Sequence, residues 1–595
     1  MKVKNLMAIV ALAAVSGSVQ GANPVSVQPL GGDNTLVRVE ADSRYLLLPV
    51  EDNGPESRIT VLADGDQAKT VTVRLAKNRT DYYVPFDLTP YKGKNVEFLV
   101  KTFDGELPDG TAAGYSCWSD FKAGDTFDAT NREAYRPAYH HTPEWGWMND
   151  PNGMFYKDGV WHLYYQWNPY GSKWQNMTWG HSTSRDLVNW EHHPAAIEPG
   201  GLGSVFSGSC AVDPNDPDKV WAMYTAAGDR QMQSMAWSDD NGETFTQYPG
   251  NPVIALDTEA RDPNMFWDAA NNRWVLVLAH PLDHEMLFFT SPDMKEWTLM
   301  SSFGKVAAQG GVWECPDFFQ LTAPDGTRKW VLLCNLNPGG PFGGSATQYF
   351  VGDFDGKTFT ADTDASGEIP TKWLDFGKDH YATVSWSDAP DGRRTVIGWM
   401  SNWQYAADVP TEQYRSANTL PREMELFRAA DGQYYVASAP SPELDALRDR
   451  LVTKASFVAK STPRAFSIPE LCEISLDINA SRPMTLTLSN AKGEKTVMTY
   501  NPADHTMAFD RTQSGLTDFS RDFPAVTVSP TFERNGKVSL RIFVDRSSIE
   551  LFGNRGRFVQ TNLVFPTQPY STLTVTAPSG KAKVSDLRIY SLSTK

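Results

Sequence analysis

At 595 residues the chain is too long for one ordinary hydrophobic core, so two to four domains are expected. Apolar residues at 41% and aromatic residues at 12% speak against a disordered chain. A formal net charge of −17 speaks against a nucleic-acid partner.

The first residues read as a secretory signal peptide. Lys2 and Lys4 precede an apolar run from Leu6 to Val15, and small residues follow around Gly21, after which cleavage is expected. The run is too short to remain as a membrane span, and no later stretch is long and apolar enough, so no membrane partner is expected. Without a cysteine near the cleavage region there is no lipid-anchor signal, and the protein is expected to be exported, periplasmic or secreted. Cys117, Cys210, Cys315, Cys334 and Cys472 are scattered and odd in number. They fit neither a disulfide framework nor metal-ligand spacing and read as small buried hydrophobes.

Residues 22–130 form an N-terminal β domain by pattern. Runs at 58–62, 70–75 and 95–100 alternate apolar and polar residues between turn-rich segments, as in a small antiparallel sandwich. No acids or histidines cluster there, so it is a packing partner or a sugar-binding accessory.

From 135 to 435 the sequence repeats. An apolar strand signature bearing tryptophan recurs at Trp161, Trp221, Trp274, Trp330 and Trp399, and a polar turn closed by an aromatic follows in units one to four. Units of this length, rich in short strands, are propeller blades, and five of them predict a five-bladed β-propeller. Ser441-Pro442-Glu443 then signals a short helix to about Arg450, within a linker over 436–454. Alternating strands over 455–595 predict a C-terminal β-sandwich.

Acids stand just upstream of the tryptophan strands. Asp150 lies in the turn-forming stretch 147–153 (Trp-Met-Asn-Asp-Pro-Asn-Gly), Asp262 in Arg261-Asp262-Pro263, and Glu314 in Glu314-Cys315-Pro316-Asp317. In a propeller the first strand of each blade lines the axis, so these three carboxylates are expected to converge at one mouth of the channel. Asp317 is expected to support them through hydrogen bonds. His181, after Trp179-Gly180, reads as a structural histidine.

These stretches, with 165–169 (Tyr-Gln-Trp-Asn-Pro), 206–209 (Phe-Ser-Gly-Ser), 398–403 (Gly-Trp-Met-Ser-Asn-Trp) and 545–552 (Asp-Arg-Ser-Ser-Ile-Glu-Leu-Phe), resemble glycoside hydrolase family 32. That family holds the invertases, inulinases and levanases. The resemblance runs from about 140 to 595 and implies the same propeller and sandwich. It departs at Tyr414, where tryptophan is usual before Arg415, and at 381–384, which lacks a common glutamine; both touch on details of the sugar pocket.

The resemblance implies a retaining hydrolase of β-fructofuranosidic bonds in levan, inulin or sucrose. Asp150 would be the nucleophile, Glu314 the acid and then the base, and Asp262 the transition-state stabiliser. Retention implies carboxyls roughly 5–5.5 Å apart, with Trp313 and nearby negative charge keeping Glu314 protonated. Asn149, Gln166, Trp174, Phe206, Ser207, Arg261 and Trp403 are the implied sugar contacts. No metal or cofactor is required, and a fructan or fructo-oligosaccharide is the expected partner. The chain is expected to act from chain ends. Endo-action, fructosyl transfer, an arabinan- or xylan-cutting propeller and a non-catalytic fructan-binding scaffold are the competing readings.

Overall fold

The computed structural model describes residues 25–39, 43–102, 114–129, 133–479, 481–533 and 536–594, so the signal segment lies outside the described residues. These residues fall into two compact units divided after Phe127. The first holds a five-stranded sheet and a three-stranded sheet. Its strands, such as Ser57–Ala63 and Val96–Thr102, bury alternate residues, as period-two patterning requires.

In the second unit five sheets follow one another in sequence, each built on four antiparallel strands in chain order from centre to rim, with a further short strand, Lys372–Trp373, paired to the third strand of the fourth. Their first strands are Gly146–Lys157, Ser204–Asp213, Arg261–Asp268, Val312–Thr322 and Tyr381–Ser385. Each lies against the first strand of the next blade, and the fifth returns to the first, which closes the ring. A short fifth strand, Tyr414–Arg415, runs parallel to the start of the first blade. This is a five-bladed propeller.

The blades cohere because their second strands are apolar on both faces. In Arg273–His280, Leu276 and Leu278 join a core with Met223 and Met235 of blade 2. Val277 and Ala279, facing the other way, join Leu332 and Cys334 of blade 4. Each middle strand thus serves two cores, which explains why the repeats read as continuous Val, Leu and Trp runs.

The segment read as a helix to Arg450 is a 3-10 helix over Pro442–Leu447, and Arg448 already opens the strand Arg448–Ala459. Leu444 and Leu447 are buried, while Arg448 pairs with the buried carboxylate of Glu473, which holds the chain extended. The last region is a sandwich of two six-stranded sheets around one core, with Leu476 and Ile542 from one sheet and Leu486 and Phe509 from the other.

Propeller and sandwich share a buried polar junction. Arg422 of blade 5 donates to Asp375 Oδ2 at 2.9 Å and to Glu550 Oε2 at 2.6 Å. His140 sits between Glu550 Oε1 at 2.9 Å and Asp545 Oδ2 at 2.7 Å. Backbone N–H groups of Leu420, Gly377, Thr561 and Ala138 complete these carboxylates. Beside them Arg511 of the sandwich pairs with Asp379, which also accepts from Tyr405 Oη at 2.5 Å. The stretch 545–552 is therefore an adhesive between domains, and Asp379, which precedes the blade-5 strand, turns towards the sandwich and away from the channel.

Candidate active site

The first strand of every blade carries a β-bulge at the same height. Between Met148 and Pro151, three steps along the strand face two steps on its neighbour, Trp167 to Tyr165. The same three-against-two count recurs at 205–208, 261–264, 314–317 and 381–384. A bulge bends a strand and re-aims its side chains, so five bulges around a ring turn five sets of side chains towards one mouth. Asp262 at φ +63°, Cys315 at φ +44° and Ala382 at φ +51° take up the left-handed backbone that three of the bulges demand. Non-glycine residues there are held against a local strain of roughly 1–3 kcal/mol. Gly208 is needed for another reason: a Cβ there would lie 2.0 Å from the Met223 carbonyl oxygen.

The mouth is a cavity of about 450 Å³. All ten residues singled out from the sequence line it, together with Gln231, Glu259, Val312, Asn337 and Tyr381. Asp150 is oriented by three donors: Asn149 Nδ2 at 3.0 Å, Ser207 Oγ at 2.7 Å and Cys315 Sγ at 3.3 Å. Asn149 is itself fixed by Trp147 Nε1 at 2.8 Å, and Trp147 stacks on Trp403 with centroids 5.8 Å apart. Asp262 Oδ2 accepts from the Cys315 backbone N–H at 2.9 Å. Glu314 Oε1 accepts twice from Arg261, at 3.0 and 2.9 Å, and its Oε2 accepts from the Tyr381 hydroxyl. Trp174, 43% exposed, meets Phe206 edge to face at the rim. Gln166 is buried and donates to the Val205 carbonyl at 3.1 Å.

Burial raises Asp150 above the usual carboxylate range, and Glu314 adds to this, against the hydrogen bonds from Ser207, Asn149 and Cys315. Asp262 is pushed up to about 7 by burial, with Glu314 and Asp150 adding to the push and Arg261 resisting it. Asp150 and Asp262 are thus both held above the ordinary carboxylate range, and the cluster retains a proton close to neutrality. Such a cluster can both give up a proton and present an ionised carboxylate, as glycoside cleavage demands.

Several sequence expectations need correction. Trp313 points away from the acids into the core between blades 3 and 4, where its Nε1 donates to the Ala308 carbonyl, so it does not act on Glu314. Asp317, beyond the bulge, accepts from the Ser385 backbone N–H at 2.6 Å and faces a separate cavity of about 620 Å³. Its strand has already turned it from the acids. Tyr414 and Arg415 do not line the pocket. Tyr414 lies under the Arg136 guanidinium, and Arg415 donates to the carbonyls of Ser172 and Thr411. Tyr381, which lines the pocket, and Cys315, buried beneath it against Asp150 and Asp262, are residues that the sequence reading did not assign. Their signal was register: Tyr381 holds the position of Arg261 and Glu314 at the start of the bulges of blades 3, 4 and 5, and Cys315 holds the position of Asp262 one residue on.

With this geometry in place, comparison with known proteins adds three findings. The profile described as "Glycosyl hydrolases family 32 N-terminal domain" matches residues 140–440, and "Glycosyl hydrolases family 32 C terminal" matches 443–591. Residues 31–139 match a family described only as a domain of unknown function. A levanase of Bacillus subtilis is 41% identical over 77% of this chain and 71% of its own length. An extracellular exo-inulinase of Aspergillus awamori is 37% identical over 75% of this chain and 92% of its own. Among solved structures, the exo-inulinase from A. awamori covers 78% of this chain and 99% of its own, at 35% identity and TM-score 0.74. A β-fructofuranosidase from Schwanniomyces occidentalis, complexed with fructosyl-erythritol, covers 79% and 100% at 30% identity and TM-score 0.72.

Proposed function

The chain belongs to glycoside hydrolase family 32, and we propose that it is a retaining β-fructofuranosidase that trims fructose from the ends of fructans. Hydrolysis of β-fructofuranosidic bonds in fructans or sucrose is the activity its relatives support. The observation that carries the residue roles is the ring of bulges that aims Asp150, Asp262 and Glu314 into one cavity.

Asp150 attacks the anomeric carbon of fructose. Its three donors fix one oxygen pair in place and favour the ionised form, so the other lone pairs are free for the sugar. Glu314, whose side chain is 20% exposed, stands where a leaving group can reach solvent and gives its proton to the departing oxygen. Once ionised, it is stabilised by Arg261 and Tyr381 until it takes a proton from the water that releases fructose from Asp150. Asp262, braced by Cys315 on one oxygen, has the other for ring hydroxyls, contacts that strengthen as positive charge develops on the sugar.

A cavity of about 450 Å³ is at the lower end of the roughly 300–1,000 Å³ typical of small-ligand sites. That favours a chain end over a long groove. Export fits the extracellular relatives, and among the described residues no helix is long and apolar enough to cross a membrane. The test is a product time course on levan, inulin and sucrose. Fructose alone from the first points supports exo-action, and early oligosaccharides overturn it. Release of the retained anomer, read by NMR before mutarotation, tests the covalent step.

A further inference from the structure

Blade 1 carries a stack of histidines that the pocket does not use. His162, His181 and His193 lie ring over ring, with centroids 5.4 Å apart for the first pair and 4.7 Å for the second. His181 is fully buried, and its Nδ1 has no hydrogen-bond partner. An orphaned ring nitrogen in a core is unfavourable unless it serves something. The geometry points to a divalent-cation site of the zinc class, built by His181, His193 and Glu243 across blades 1 and 2.

One ligand atom from each of the three residues lies within 4.8 Å of the others. His193 Nδ1 is already 3.2 Å from Glu243 Oε2, and Glu243 is half-exposed on the turn after the third strand of blade 2, so it can close on an ion. Zinc needs ligands at about 2.0–2.2 Å and accepts two imidazoles, a carboxylate and an open fourth position. The outer nitrogens are arranged to suit. His181 Nε2 lies 3.2 Å from His162 Nδ1, and His193 Nε2 lies 2.8 Å from Thr183 Oγ1. If each Nε2 donates its proton there, both Nδ1 atoms are left as lone pairs, the tautomer that a metal requires. A metal here would clip blades 1 and 2 together, next to the existing hydrogen bond from Tyr164 Oη to the Gly242 carbonyl at 2.6 Å. None of the three ligands lines the fructoside pocket.

The test uses the untagged protein, stripped of metal and titrated with zinc chloride against a chromophoric chelator. The expected result is one zinc per chain and a melting temperature that rises with zinc concentration, since only the folded state presents the site. His193→Ala and Glu243→Gln should each weaken binding by more than tenfold, and Thr183→Val by about tenfold through loss of the tautomer lock. Glu243→Gln changes only a half-exposed side chain, so its circular dichroism and fructoside hydrolysis should match the parent protein. No retained zinc, or equal zinc affinity in Glu243→Gln and the parent, would overturn the site.

Discussion

The pocket and the junction between propeller and sandwich both bury carboxylates beside arginine, yet they treat them in opposite ways. In the pocket, burial raises Asp150, and raises Asp262 to about 7. At the junction the same burial acts on Asp375, Glu550 and Asp545, but it is outweighed. His380 and Arg422 hold Asp375 low, Arg422 and His140 do so for Glu550, and His140 for Asp545. The difference is one of saturation. Junction oxygens are filled by guanidinium, imidazole and backbone N–H partners, whereas in the pocket Arg261 serves Glu314 and Asp262 and leaves Asp150 to neutral donors. Unfilled acceptors in a buried cluster are the capacity a substrate uses. Filled ones hold domains together.

Breaking the pocket side should give the largest effect. Asp150→Asn removes the attacking oxygen and should lower kcat/KM by about 10⁴-fold or more. Because the folded protein already disfavours charge there, its melting temperature should be unchanged or slightly raised. Initial rates on sucrose or levan, paired with a thermal melt, check both halves. A variant with near-parental rate would remove Asp150 from its role.

The junction should answer the other way. Arg422→Met leaves Asp375 and Glu550 without their shared cation, and breaking one partner of a buried pair typically destabilises by about 3–5 kcal/mol. Thermal unfolding should move sharply down, while the folded fraction keeps its kcat, because Arg422 does not line the pocket. An equal loss of kcat per folded molecule would mean that the two clusters are not separable.

That separation was only partly legible in the sequence. Strand alternation and recurring tryptophans give the propeller, since a strand buried on both faces must be apolar throughout. The three acids are legible because each precedes such a strand. Their neighbours are harder. Tyr381 and Cys315 look like core residues until the bulges turn one hydroxyl onto Glu314 and one thiol onto Asp150, and a bulge depends on pairing that no single strand displays. Asp317 shows the converse: three residues after Glu314, it lies past the bulge and faces elsewhere. The 545–552 stretch is legible as a signature but not as an adhesive, because its partners Arg422 and His140 lie far away in the chain.

Titration separates the two clusters at smaller energies. Asp262 has a raised folded-state pKa, so its contribution to stability is present below the unfolded value near 4 and is lost as pH climbs to about 7. Asp262→Asn should therefore match the parent melting temperature near pH 4 and exceed it progressively up to pH 7. The junction acids have lowered values, so their contribution is present above the ordinary carboxylate range and is lost on acidification. His140, raised to about 9 by Asp545 and Glu550 against its burial, contributes fully below about 6.5 and loses that contribution as pH rises through 9. Asp375→Asn should thus cost stability at pH 7 and progressively less towards pH 3. Parallel pH curves for the two variants would contradict the opposite assignments.

The finest cut compares two tyrosines that make the same bond. Tyr381 donates its hydroxyl to Glu314 in the pocket, and Tyr405 donates to Asp379 at 2.5 Å in the junction. Both rings are buried, and Phe preserves their packing, so each Tyr→Phe change deletes one hydrogen bond to a carboxylate, and at Tyr405 also the one its oxygen accepts from Arg511 Nη2 at 2.7 Å. Such a bond contributes about 1.5–3 kcal/mol. In Tyr381→Phe that energy should leave catalysis: kcat falls about tenfold or more, because Glu314 loses a donor that supports it after proton transfer, while KM and melting temperature barely move. In Tyr405→Phe it should leave stability, because Asp379 stays buried beside Arg511 with one acceptor unfilled, and kcat should hold. If both variants lost stability and neither lost rate, Tyr381 would be a packing residue that happens to line the pocket, and the support of Glu314 would rest on Arg261 alone.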